Sequence, residues 1–96
     1  GNAGGARPAT PAGLAVVRGT DQRNAHITWT RVPGVVGYNV RWGVSPGKLY
    51  QTYQLFADEG PSLDLRALTI GQPYFFAIES FDESGVSPLS GTVEIR

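Results

Sequence analysis

Residues 68 to 85 read Leu-Thr-Ile-Gly-Gln-Pro-Tyr-Phe-Phe-Ala-Ile-Glu-Ser-Phe-Asp-Glu-Ser-Gly, and the remainder of the chain is organised around them. Leu68 to Pro73 carries a glycine and a proline and reads as a tight corner. From there the pattern has a period of two. Tyr74, Phe76, Ile78 and Ser80 share one face, and Phe75, Ala77, Glu79 and Phe81 the other, as in a pleated strand. The stretch is therefore a corner feeding one long central strand.

Working outward, Asp82 to Pro88 reads as a loop, and around Gly91 to Arg96 a last strand sets Val93 and Ile95 against Thr92, Glu94 and Arg96. Upstream, Ser62 to Ala67 places Leu63, Leu65 and Ala67 opposite Asp64 and Arg66, after a turn at Ala57 to Pro61. Leu49 to Phe56 is aromatic and β-favouring, but its pattern leaves the inward face open. Tyr38, Val40 and Trp42 alternate with Asn39 and Arg41 before a Ser45-Pro46-Gly47 turn, and Pro33, Gly34 and Gly37 break the preceding segment. Ala25, Ile27 and Trp29 face away from His26, Thr28 and Thr30, a half-buried strand. A short first strand, Leu14 to Arg18, has Leu14 and Val16 on one face and ends in the Gly19 to Asn24 turn. Gly1 to Pro11 is small residues and prolines without periodicity and reads as a linker or expression remnant outside the fold, leaving 12–96 as the domain. Seven strands, no helix and turn signals every 8–12 residues predict an all-β, seven-stranded antiparallel sandwich of the immunoglobulin-like kind.

Composition narrows function. Ninety-six residues at 41% hydrophobic and 17% charged suit one domain. Eight basic against eight acidic residues give no net field, which argues against nucleic acid as a partner. No apolar run is long enough to insert in a membrane, and no secretory leader pattern opens the chain. Without cysteine there is neither a disulfide framework nor a thiolate metal site. Without methionine, the chain reads as a module cut from something longer.

Reaction chemistry is not evident. Asp82 with Glu83 and Asp58 with Glu59 are the close carboxylate pairs, both in turns, where solvated charge is the ordinary reading. His26 alternates outward with no second histidine to complete a metal site or relay. No Gly-x-Ser-x-Gly elbow surrounds a serine, and Gly34-Val35-Val36-Gly37 lacks the lysine and following helix of a phosphate cradle. We therefore expect no enzyme activity, no cofactor and no metal.

Trp29 on the second strand, Tyr38-x-Val40-x-Trp42 on the third, and Leu68-x-x-Gly71-x-x-Tyr74 before Tyr-x-Phe-x-Ile follow in an order that resembles the fibronectin type III family, from about Pro11 to Arg96. The resemblance implies that Trp29, Tyr38, Val40, Leu68, Tyr74, Phe76 and Ile78 are core or corner positions. Tyr74 would be the tyrosine corner, with a buried ring and its hydroxyl bonded to backbone a few residues upstream. Ile70 stands where such domains often have proline. Arg18-Gly19-Thr20 is only superficially like an Arg-Gly-Asp adhesion motif, and the Asp82 to Pro88 loop that would carry one has no arginine.

A finer resemblance lies in Gly37 to Val44, Pro-Gly-Lys-Leu-Tyr at 46–50, and the Pro73 to Gly85 run. These look like sandwich modules at the carboxyl end of bacterial glycoside hydrolases of the xylosidase and arabinofuranosidase kind. That likeness implies an accessory module of an extracellular or periplasmic polysaccharide-degrading enzyme, monomeric when isolated, whose catalytic carboxylates lie elsewhere.

One surface stands out. With Tyr74, Phe76 and Ile78 inward, Phe75 and Phe81 point outward beside Asn39 and Arg41, with Tyr50 or Tyr53 from the neighbouring strand nearby. Asn39, Arg41, Tyr50, Phe75 and Phe81 thus form a candidate docking surface for the catalytic or another domain of the same parent chain. An ordinary outer face, or stacking of a polysaccharide, remains open beside that reading. A binding module for a polysaccharide or a cell-surface protein is the alternative function.

Overall fold

A computed structural model describes residues 6–96. Strands run as β1 (Ala15–Arg18), β2 (Asn24–Thr28), β3 (Gly37–Gly43), β4 (Gln51–Phe56), β5 (Ser62–Arg66), β6 (Tyr74–Asp82), β7 (Gly85–Val86) and β8 (Val93–Ile95), with a 3-10 turn at Ala57–Glu59. They form two antiparallel sheets, one ordered β1-β2-β5 and the other β4-β3-β6-β7, with β8 also paired to β6. The expected all-β sandwich is this one.

The seventh strand of the sequence reading, around Gly91 to Arg96, is β8, and a further short strand, β7, lies inside the segment read as a loop. Pro88 keeps the two apart, because proline has no N–H to donate to the ladder. Two serine hydroxyls bridge the gap: Ser87 Oγ accepts from Ser80 N and Ser90 Oγ from Ile78 N, both at 2.9 Å.

The parity of β6 decides the core. Phe76 and Ile78 are fully buried with Tyr38 and Val40 of β3 and Ile27 of β2, each contributing roughly 1.5–3 kcal/mol by removal from water. Val40 stands directly opposite Ile78. Trp29, expected on the second strand, sits one residue beyond the end of β2, is buried, and meets Tyr38 edge-on at 5.2 Å between ring centroids. Trp42 is half-buried and stacks on Phe76 at 6.1 Å. The inward face of β4 is settled by Leu55, which is buried opposite Tyr38, so Thr52, Gln54 and Phe56 face outward.

Two local expectations are corrected. Ala67 does not continue the inward face of β5: the strand ends at Arg66, and Ala67 turns out with a φ of 110°. Tyr74 makes the corner bond, its hydroxyl accepting from Thr69 N at 2.8 Å, but its ring is half-buried rather than buried. The Arg18 guanidinium lies over that ring at 5.5 Å and donates to the carbonyls of Gln22, Thr69, Gln72 and Arg96. It thereby ties the end of β1 to the corner and to the last residue.

Residues 1–5 of the segment read as a linker lie outside the described residues. Beyond them, Arg7 Nε donates to Val86 O at 2.6 Å, Ser80 Oγ to Ala9 O at 2.6 Å, and Thr10 Oγ1 to Pro88 O at 2.9 Å, so this part is laid along the β6–β7 side of the sandwich. Among the described residues no helix is long and apolar enough to cross a membrane.

Candidate functional site

The outer face of the larger sheet is built in rows, because residues opposite one another in an antiparallel ladder point the same way. Phe56, Gly37, Phe81 and Val86 make one row. Gln54, Asn39 and Glu79 make the next, Thr52, Arg41 and Ala77 a third, and Gly43, Phe75 and Glu94 the last on this face. Phe75 and Phe81 are therefore six residues apart along β6, about 20 Å at strand rise. The structure does not bring them into one aromatic patch.

Each end has its own character. Phe81 lies flat across Gly37: a methyl there would meet its Cζ at 2.7 Å and Cε2 at 2.9 Å. The ring is thereby half-buried, and the row's exposure comes from its flanks, Phe56 at 55% and Val86 at 39%. Phe75 is half-buried opposite Gly43.

Between the ends lies a polar network. Glu79 Oε2 accepts from Asn39 Nδ2 at 2.9 Å and from Arg41 Nη2 at 3.0 Å, and Asn39 Oδ1 accepts from Gln54 Nε2 at 3.2 Å. Asn39 and Glu79 are both buried, so Asn39 has little surface of its own to offer a partner. Arg41 keeps 38% of its side chain in solvent, against 9% for Glu79. A buried carboxylate needs such partners, since desolvation otherwise exceeds what the fold can offset.

Tyr50, 82% exposed, lies just before β4 and is shared by two hollows. One, of about 470 Å³, is lined by Trp42, Gly43, Val44, Lys48, Tyr50, Gln51, Ala67, Leu68 and Tyr74. The other, of about 510 Å³, has Arg41, Pro46, Gly47, Leu49, Tyr50, Glu79 and Leu89 around it.

The remaining chemical candidates have local roles. His26 Nδ1 lies 2.7 Å from Asp64 Oδ1 as an exposed cross-strand pair. Asp82 Oδ1 accepts from Ser84 N, and Glu59 Oε1 from Phe56 N, each closing a turn. The guanidinium of Arg23, hydrogen-bonded to Asp21 in the first turn, holds the Asp21 carboxyl below its ordinary value. No group of three or more metal-ligating side chains occurs among the described residues.

Sequence reasoning missed Phe56, Gln54 and Val86, because the parity of β4 and the existence of β7 were not legible. Glu79 could have been found: it is the charged residue in the middle of an otherwise apolar strand.

Comparison with solved structures shows which fold this sandwich shares. A Fn3-like protein from Clostridium thermocellum superposes with a TM-score of 0.81 at 22% identity, over 95% of this chain and 94% of that one. A solution structure of the fn3 domain of human contactin 1 gives 0.80 at 20% identity, over 95% and 79%. The FN1-FN3 domains of chicken CNTN1 give 0.80 at 22%, over 93% of this chain, which spans 31% of that one. The fold is thus that of fibronectin type III domains. No protein-family model and no curated protein matches the sequence.

Proposed function

We propose that the chain is a non-catalytic docking module of a larger, secreted polysaccharide-degrading enzyme. It seats against the catalytic domain or another module of that same chain. The observation carrying this reading is the apolar row Phe56, Phe81 and Val86 on the outer face of the larger sheet, whose flanking side chains keep a third or more of their surface in water. The enzymatic parent is supported by the sequence resemblance of Gly37 to Val44 and Pro73 to Gly85 to accessory modules of glycoside hydrolases, and an extracellular or periplasmic location goes with that parent. The isolated module is monomeric.

The test is Phe56→Ser with Val86→Ser in the full-length parent. Both side chains are exposed, so the module itself keeps its fold. The expected result is a lower thermal midpoint of the neighbouring domain and lost hydrogen-exchange protection on its contact face. If both are unchanged, docking through this row is wrong. The alternative, a polysaccharide-binding module, is favoured by a different observation, the hollows on either side of Tyr50.

A further inference from the structure

We propose that the free edge of β4 pairs with β4 of a second copy of this chain, antiparallel about a two-fold axis through Tyr53, so that the two larger sheets become one. The inference goes beyond the docking reading and uses neither Phe81 nor Val86. Phe56 is common to both, so the variants below leave it untouched.

An unpaired strand edge is a template for another chain, and folded proteins ordinarily blunt it with charge, proline, shortness or a covering segment. The other outer strands have such devices. β7 is two residues long and its Val86 carbonyl is already taken by Arg7. β5 carries Asp64 and Arg66, β8 is three residues long with Glu94 at its centre, and the four residues of β1 end in Arg18. β4 has none of them. Gln51-Thr52-Tyr53-Gln54-Leu55-Phe56 is uncharged, lacks proline and glycine, and is β-favouring throughout.

The direction of its backbone groups fixes which pairings are open. Ala57 N donates to Val36 O, on the β3 side, whereas Phe56 N donates to Glu59 Oε1. By the alternation of an antiparallel ladder, Gln51, Tyr53 and Leu55 bond to β3, and the N–H and C=O of Thr52 and Gln54 point to the open edge. An axis through Tyr53 lets Thr52 of each copy exchange both bonds with Gln54 of the other, four in all. The same register is self-complementary in its side chains. Tyr53 meets Tyr53 of the second copy, and Tyr50 meets Phe56, so that the three exposed aromatics of this segment are all covered. Lys48 and Asp58, both exposed and each five residues from Tyr53, then face one another twice across the axis. An axis through Thr52 sets Lys48 against Phe56. One through Gln54 sets it against Gly60 and requires the Phe56 N–H that Glu59 already holds.

Four ladder bonds along about 20 Å of strand bury less than the roughly 1,200 Å² of a stable interface. The chain is therefore single when dilute, and the pair forms only when it is concentrated. Because the contact uses up the edge that makes it, assembly stops at two.

Sedimentation equilibrium of the isolated chain at low ionic strength, from about 20 μM to 3 mM, tests this. The expected result is a mass rising towards that of two chains, with Kd about 0.1–2 mM. Isotope-filtered NMR of a mixed labelled and unlabelled sample should give a Tyr53 Hα to Tyr53 Hα contact between copies. Thr52→Pro removes an outward N–H and leaves the bonds to β3 in place, and should weaken association by roughly tenfold or more, whereas Thr52→Val should not. Lys48→Glu should weaken it by roughly fivefold to twentyfold, and Lys48→Glu combined with Asp58→Lys should restore it to within about twofold. Should Thr52→Pro unfold, the charge exchange decides alone, since both side chains are exposed. The mass of one chain at about 3 mM overturns the proposal. So does association that grows past two chains, that Thr52→Pro leaves unchanged in a folded protein, or that the charge exchange fails to restore.

Discussion

Replacing Arg41 by leucine tests whether the outer-face network stabilises the sandwich or merely decorates it. Glu79 is paired by Asn39 and Arg41, and its side chain keeps 9% of its surface exposed. Removing one partner of a fully buried pair costs about 3–5 kcal/mol. Arg41 is 38% exposed, so water regains part of the Glu79 carboxylate once the guanidinium has gone, and Asn39 still donates. The expected cost of Arg41→Leu is about 1–2 kcal/mol, in the range of a single charge-assisted hydrogen bond. At this length that lowers the thermal midpoint by roughly 5–12 °C. Glu79→Gln should cost a similar amount. The double variant should cost less than the sum by about 1 kcal/mol, because the second change removes nothing that the first has left. Urea denaturation of all four proteins, with unchanged m-values, gives the cycle. A coupling energy below about 0.3 kcal/mol, or an Arg41→Leu protein more stable than the parent, would refute the reasoning.

Three further outcomes are expected. Gly37→Ala should destabilise by about 2–3 kcal/mol in urea melts, since the added methyl meets the Leu55 carbonyl oxygen as well as the Phe81 ring; Phe81→Leu in the same chain should recover only part of this, because the carbonyl cannot move aside. Ala67→Gly should raise stability by about 1 kcal/mol, the release of a φ of 110° outweighing the extra freedom of glycine in the unfolded chain. For Asp21, a 13C carboxyl titration should place its pKa below the ordinary aspartate value, and Arg23→Ala should restore it. Because the folded value is the lower one, the pair's contribution is complete above the unfolded pKa and is lost as pH falls through the folded one.

The core was legible because Tyr38, Val40 and Trp42 alternate with polar residues on β3 and Tyr74, Phe76 and Ile78 keep one parity on β6, and a shift of one residue would turn Phe76, Ile78, Tyr38 and Val40 to the other face. The corner was legible from Leu68, Gly71 and Tyr74, although the half-exposure of Tyr74 depends on Arg18, fifty-six residues away in sequence. The outer face was read correctly for direction and incorrectly for company. Parity told that Phe75 and Phe81 point outward, but cross-strand register decides what lies between them, and register is a property of two strands at once. The same lack concealed the Glu79 network: Asn39 and Glu79 are forty residues apart, and nothing local to either names the other. In β4 a tyrosine and a phenylalanine on opposite parities left both faces plausible until Leu55 met Tyr38.

The hydrogen bonds of Arg7, Ala9 and Thr10 have a mechanical consequence. They hold the incoming chain beside Val86 and Ser80, whereas the outgoing chain leaves past Ile95, opposite Tyr74, at the other end of β6. Tension applied through the two ends would load these few side-chain bonds at one end and the short β6–β8 ladder at the other. Peeling residues 7 to 12 releases roughly 20 Å of slack at about 3.4 Å per residue while every strand stays paired. Where those bonds give way first, the segment would serve as a short extensible tether that can re-zip.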